Sequence, residues 1–258
     1  MKKNILPLAI ILSVGMLSVL TYSIRAYYVP CIPTFDEEFN GPTLNTSKWS
    51  TKFQSGNAGE RQFFAPDAFR MLQGKLNIYA EKRTSHGYPY TSGIITTDHT
   101  FAQKYGYFVT RAKLPAGRGF WSGFWLLPAG GHYPYEIDVF EMLGHDPDTI
   151  YMSNHWSDQQ GEHQSKTTPF TGDVDFSAEF HTFAIDWRPS EIKWYVDGNL
   201  QYRTDQGVPA DSMFMLINLS VGGEWPGYPD ESTSFPGIMQ IDYVRVYDVA
   251  CASIVGSN

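Results

Sequence analysis

The sequence predicts an all-β protein, a β-sandwich curved enough to form a cleft. Short runs in which apolar and polar residues alternate recur along the chain, punctuated by 23 glycines and 16 prolines. After residue 26 no long segment keeps the apolar period of a helix. With neither an internal repeat nor a low-complexity linker, residues 27–258 read as one domain.

Residues 1–26 read as a secretory signal peptide, which would make the protein secreted. Lys2 and Lys3 precede an apolar run from Ile5 to Leu20, and Ala26 closes Ser23-Ile24-Arg25-Ala26 with a small residue. The run falls short of the roughly 20 residues that a spanning helix needs, an uncleaved anchor being the alternative. Tyr28-Val29-Pro30 before Cys31 is not the small-residue context of a lipoprotein site. Cleavage would remove Lys2, Lys3 and Arg25 and no acid from a chain of formal net charge −8, so the exported protein would repel nucleic acid and anionic polysaccharides. Two cysteines, Cys31 and Cys251, nearly bracket the remaining chain. A disulfide joining the chain ends is expected in an exported protein, with two buried or free thiols as the alternative.

The strands follow from alternation. Lys75–Ala80 places Leu76, Ile78 and Ala80 on one face, and Phe108–Leu114 sets Phe108, Thr110, Ala112 and Leu114 against Tyr107, Val109, Arg111 and Lys113. Phe183–Trp187, Ile192–Val196, Phe214–Leu219 and Gln240–Tyr247 read the same way. Asp197-Gly198 between Lys193–Val196 and Leu200–Arg203 is a hairpin signal.

One stretch carries chemistry. In Glu136-Ile137-Asp138-Val139-Phe140-Glu141 three carboxylates interleave with three large apolar residues. A strand sends Glu136 and Asp138 to one face, whereas strict alternation would aim Glu141 at the other. A β-bulge among Val139 and Phe140 would turn Glu141 back beside them. Glu136 and Glu141 would then be about 13 Å apart at Cα, leaving roughly 5–6 Å between carboxyl groups that lean together. A gap of about 5–5.5 Å suits a retaining glycosidase, and roughly 6.5–9.5 Å an inverting one. The plainer reading is a solvated acidic edge strand, but like charges on one face repel and nothing in a solvated strand requires them side by side.

Aromatic residues gather around this stretch. Trp121 and Trp125 share a face in alternation, Tyr133 and Tyr135 precede the acids, and His155-Trp156 follows in the next strand. Flat aromatic rings stack on the apolar faces of sugars, although core packing is the alternative for each tryptophan. His155 has no second ligand at metal spacing beside it, so it reads as a hydrogen-bonding or surface residue.

Taken together these segments resemble glycoside hydrolase family sixteen, in its laminarinase-like, endo-β-1,3-glucanase branch. Glu136–Glu141 resembles the bulged active-site signature. Phe35-Asp36-Glu37-Glu38-Phe39-Asn40-Gly41 with Lys48-Trp49, Tyr105–Pro115, Phe180–Trp187 and Trp194–Gly198 are similar to its other strands. Asn218–Gly227 with Asp242–Tyr247 resembles the laminarinase type. Ile94 where an arginine is common, Tyr133-Pro134 where Trp-Pro is common, and Glu224 depart from that pattern.

The resemblance implies a concanavalin-like jelly roll of two curved antiparallel sheets with a glycan cleft on the concave face. It implies Glu136 as nucleophile, Asp138 as supporting carboxylate and Glu141 as acid/base. The aromatic and histidine side chains near that strand in sequence, with Trp225, give Trp121, Trp125, Tyr133, His155, Trp156 and Trp225 as the expected substrate contacts. The expected activity is retaining hydrolysis of β-1,3 or mixed β-1,3-1,4 glucans by a monomer acting on a neutral polysaccharide, with no nucleic-acid partner. No cofactor is needed for catalysis, and a structural calcium away from the cleft is compatible with the family. A non-catalytic β-glucan-binding protein, a transglycosylase, or a hydrolase of another β-linked polysaccharide are the alternatives.

Overall fold

The computed structural model describes residues 31–53 and 59–251; the signal-peptide reading lies outside them. The described strands are β1 (Phe35–Glu37), β2 (Gln62–Phe64), β3 (Phe69–Leu72), β4 (Lys75–Ala80), β5 (Tyr90–Ser92), β6 (Ile94–Thr96), β7 (Gly106–Lys113), β8 (Phe120–Pro128), β9 (Glu136–Leu143), β10 (Thr149–Ser157), β11 (His163–Thr171), β12 (His181–Trp187), β13 (Ile192–Val196), β14 (Asn199–Thr204), β15 (Met213–Val221) and β16 (Gly237–Tyr247). One sheet has the order β14-β13-β12-β7-β16-β4-β3, with β1 also paired to β16. The other has the order β11-β10-β9-β8-β15-β6, and β2 and β5 form a short parallel pair. The large sheets are antiparallel throughout, giving the expected jelly-roll sandwich.

The core between the sheets is built by alternation. Leu76, Ile78 and Ala80 of β4 and Phe108 and Ala112 of β7 enter it from one side; Phe124 and Leu126 of β8 and Ile137 and Phe140 of β9 enter from the other. The opposite row of β7 is also covered, since Tyr107 and Val109 pack with Ala184 beneath Tyr195, Tyr243 and Tyr247. At the tip of the β13–β14 hairpin Asp197 and Gly198 have φ of 49° and 74°. Positive φ at both central residues is what a two-residue type I′ turn requires, which explains the Asp-Gly pair.

All nine residues of β15 are buried, because both its faces are used. Met213, Met215, Ile217, Leu219 and Val221 enter the core. On the outer face Phe214 and Leu216 join Ile94 in a smaller cluster packed against Phe53, Phe64, Trp125 and Leu127. Asn218 and Ser220 continue that outer row toward the acidic strand.

Pairing of β1 with β16 brings the two ends of the described segment together: Phe35 faces Val246, and Cys31 and Cys251 lie just beyond this ladder. They form a disulfide with Cα atoms 5.2 Å apart. Closing a loop of this length constrains the unfolded chain, so reduction is expected to lower stability by about 2–4 kcal/mol. Urea unfolding with and without reductant measures the difference. Two free thiols titrated in denatured protein recovered from an oxidising compartment would contradict the bond.

Candidate active site

The outer face of the six-stranded sheet carries the acids. On β9 the side chains of Ile137, Val139, Phe140 and Met142 all belong to the core. Two consecutive residues, Val139 and Phe140, therefore face inward, which a regular strand forbids. The ladder shows how. Opposite β8, Phe140 pairs with Phe124 and Asp138 with Trp125, so Val139 is the extra residue of a bulge. Opposite β10, Glu136 faces His155, Asp138 faces Ser153 and Glu141 faces Tyr151. Glu136 and Glu141 thus stand opposite residues four positions apart on a regular strand, on one face. Beside the bulge the Asp138 carbonyl turns into the core and accepts the indole N–H of Trp194 at 2.8 Å, a buried donor from the facing sheet. That bond satisfies a main-chain group which the bulge would otherwise strand without water.

Each carboxylate has its own surroundings. Glu141 accepts a hydrogen bond from Trp121 Nε1 at 3.0 Å. Trp121 in turn meets Trp225 edge to face at 5.5 Å, and Trp225 meets Tyr151 at 4.8 Å, so three rings wall the Glu141 end. Asp138 is 2% exposed and shares a side-chain hydrogen bond with Glu136. Its Oδ2 is buried without a hydrogen bond, and His155 Nε2 lies 3.3 Å from it. Gly123, opposite Glu141, keeps this floor low: a Cβ there would lie 3.2 Å from Asn218 Oδ1.

Crowding and burial raise all three acids. Desolvation, then the charge of Asp138, pushes Glu136 up to about 9, with His155 opposing. Desolvation pushes Asp138 up to about 7. Glu141 is raised by desolvation, then by the charges of Asp138 and Glu136, while the Trp121 bond pulls it back. Three such groups cannot all be ionised near neutrality, so the set retains protons and shares them. A carboxylic acid held protonated beside a carboxylate is the pairing that acid-assisted nucleophilic displacement needs.

Residues 44–245 match the family model described as "Glycosyl hydrolases family 16". The chain belongs to glycosyl hydrolase family 16. It is 36% identical over 245 residues to an endo-1,3-1,4-beta-glycanase of Rhizobium meliloti, covering 84% of this chain and 51% of that protein. It is 35% identical to a glucan endo-1,3-beta-glucosidase of Niallia circulans, covering 83% of this chain and 37% of that one. The chain therefore spans about half, or less, of the length of these two relatives. Among solved structures, the laminarinase catalytic domain of Thermotoga maritima superposes with a TM-score of 0.75 at 35% identity, covering 84% of this chain and 98% of that one.

The family-16 frame brings most of the anticipated contacts toward the acids. Trp121, His155 and Trp225 touch them or each other, as described. Tyr133 is 76% exposed and lies beside His163, their rings 5.7 Å apart. Trp125 shares the outer face but is committed locally: its Nε1 donates to Asn218 Oδ1 at 2.8 Å and its ring packs into the small apolar cluster. Trp156 is a correction. It lies one residue from His155 and so on the opposite face of β10, where its ring packs on the backbone of Gly207. Ile94 is 1% exposed opposite Asn218, and Glu224 is exposed.

Sequence reasoning missed Tyr151, Asn218, Trp194 and His163. Tyr151 and His155 are four residues apart on one strand and could have been read from period two. Trp194 and His163 reach the site from other strands, and no local signal marks them.

Among the described residues, the grouping of three side chains able to hold a metal is Glu136, Asp138 and His155, with donor atoms within 4.8 Å of one another. Calcium takes about 6–8 oxygen ligands, so two carboxylates and an imidazole nitrogen do not fit it. These three side chains are accounted for by the carboxylate chemistry.

Proposed function

We propose that this chain is a secreted, retaining endo-glycosidase that hydrolyses β-1,3 or mixed β-1,3-1,4 glucans by double displacement. The observation that carries the reading is the bulge at Val139, which sets Glu136 and Glu141 opposite His155 and Tyr151 on one face with Asp138 between them. The names of the relatives supply the substrate class, and the spacing supports retention.

In the first step Glu141, protonated, donates to the departing glycosidic oxygen while Glu136 attacks the anomeric carbon. Glu136 needs to be a carboxylate for this. In the unliganded site Glu136, pushed up to about 9 against about 7 for Asp138, holds the proton of their shared hydrogen bond; passing it across that bond to Asp138 as substrate binds leaves Glu136 ionised. Once Glu136 is a glycosyl ester its charge is gone, and so is part of what raised Glu141. Glu141 then falls in pKa and takes a proton from water, which attacks from the face the leaving group vacated. Trp121 assists this second step, because its N–H stabilises the Glu141 carboxylate.

Proton NMR of the first-formed product tests the mechanism. Hydrolysis of laminarin should release β-anomer before mutarotation, and initial α-anomer would exclude double displacement. A non-catalytic glucan-binding role is disfavoured because both glutamates are present and share one face.

A further inference from the structure

The outermost strand of the catalytic sheet contributes a histidine to which the proposed mechanism assigns no role. His163, at the start of β11, lies across the hairpin from β10, and its Nε2 is 3.0 Å from Nδ1 of His155. The two rings stack at 5.2 Å with planes 26° apart. Through its other nitrogen His155 approaches the buried, unbonded Oδ2 of Asp138 at 3.3 Å. Three groups on three adjacent strands therefore form a line from the solvent edge to the acid between the two glutamates.

A neutral imidazole has one donor nitrogen and one acceptor. Facing a carboxylate oxygen with no other donor, His155 serves the site only with its proton on Nε2, which makes Nδ1 an acceptor. His163 must then donate from its own Nε2. We propose that His163 is a positioning residue: by donating to Nδ1 it selects the His155 tautomer that presents Nε2–H to Asp138. The role is second-hand, as is usual for a partner that orients an imidazole, and it rests on the hydrolytic reading above. At 3.3 Å the two atoms are within reach, but Nε2–H is not aligned on Oδ2 as a hydrogen bond; such contacts are often poorly aligned in the unliganded enzyme and tighten around substrate.

The direction of the effect follows. The groups facing Asp138 are Glu136 and Glu141 on its own strand and His155 on β10, with Tyr151 beyond; β8 presents only Trp121, Gly123 and Trp125. His163 itself is faced by His155 and by Tyr133. Donation from His155 favours the ionised form of the Glu136–Asp138 pair. Without His163 the other tautomer is populated and turns a lone pair toward Oδ2, so the pair binds protons more tightly. The ionised pair is then lost at higher pH, and the acidic limb of kcat/KM moves up.

The test compares full-length wild type, His163→Ala and His163→Gln on laminarin across pH, together with nitrogen-15 NMR of the histidine rings. Alanine should raise the acidic limb by about one pH unit, the shift that a tenfold change in the protonation equilibrium produces. Most of the loss should lie in kcat, and NMR should show the His155 proton distributed over both nitrogens. Glutamine, which keeps an N–H donor, should restore both readouts. An unshifted limb with a single Nε2–H tautomer in the alanine variant would overturn the proposal, as would a shift that glutamine does not correct. A rise in KM alone would instead assign His163 to sugar contact or to the support of Tyr133. If the wild type cleaves no glucan, the hydrolytic reading fails, while the tautomer measurement still decides the role of His163.

Discussion

Glu136→Ala is expected to lose activity on laminarin by on the order of 10⁴-fold or more, the scale at which removal of a nucleophile from a cooperating set is felt. The variant should fold, because Glu136 opens onto the outer face and contributes nothing to the core. Azide, small enough to enter the vacated space, should partly restore turnover of an aryl β-glucoside with a good leaving group. Since it attacks from the side Glu136 occupied, the product should be the α-glycosyl azide. Glu141→Ala keeps the nucleophile, so azide there should intercept the glycosyl ester from the other face and give the β-glycosyl azide. Exchange of the two products would exchange the roles of the two glutamates, and rescue of neither would remove double displacement from consideration.

Deleting Val139 should leave measurable hydrolysis, whereas inserting one alanine between Val139 and Phe140 should reduce it as far as Glu141→Gln does, about 10²–10⁴-fold. The reason is parity. Val139 is the residue without a partner on β8, so its loss converts the bulged strand to a regular one with acids at i, i+2 and i+4, all on one face. An added residue that the bulge does not absorb sends Glu141 into the core side instead. Val139 is the better deletion than Phe140, which is fully buried and packs against Phe183 at 4.4 Å and Phe124 at 6.3 Å. Losing that ring would cost about 3–5 kcal/mol and confuse unfolding with misdirection. Circular dichroism should precede the assay in either case. A folded deletion variant as inactive as Glu141→Gln, alongside an insertion variant that still cleaves glucan, would show that the bulge does not set the direction of Glu141.

Period two and its single interruption were legible in the chain because they are local. Alternation in β4, β7, β12, β13 and β16 is dictated by which side chains must leave water, and the Asp197-Gly198 turn by the φ values that only such residues adopt readily. The bulge was also legible, since three carboxylates among Ile137, Val139 and Phe140 can share a face only if one apolar residue is surplus. Which residue is surplus was decided by the ladder, where Phe124 and Tyr151 take Phe140 and Glu141 as partners and Val139 is passed over. The fates of the tryptophans were tertiary as well: Trp121 found a carboxylate, Trp125 an amide, Trp194 the carbonyl beside the bulge, and Trp156 a glycine on the far face. By itself the sequence determined the strands, the shared face of the acids and the chemistry they can perform, because each depends on neighbours within a few residues. The proton-sharing order, the walls of the site and the line from His163 to Asp138 depend on strands from distant parts of the chain lying about 4.8 Å apart, and only the folded sheet brings those groups within hydrogen-bonding reach.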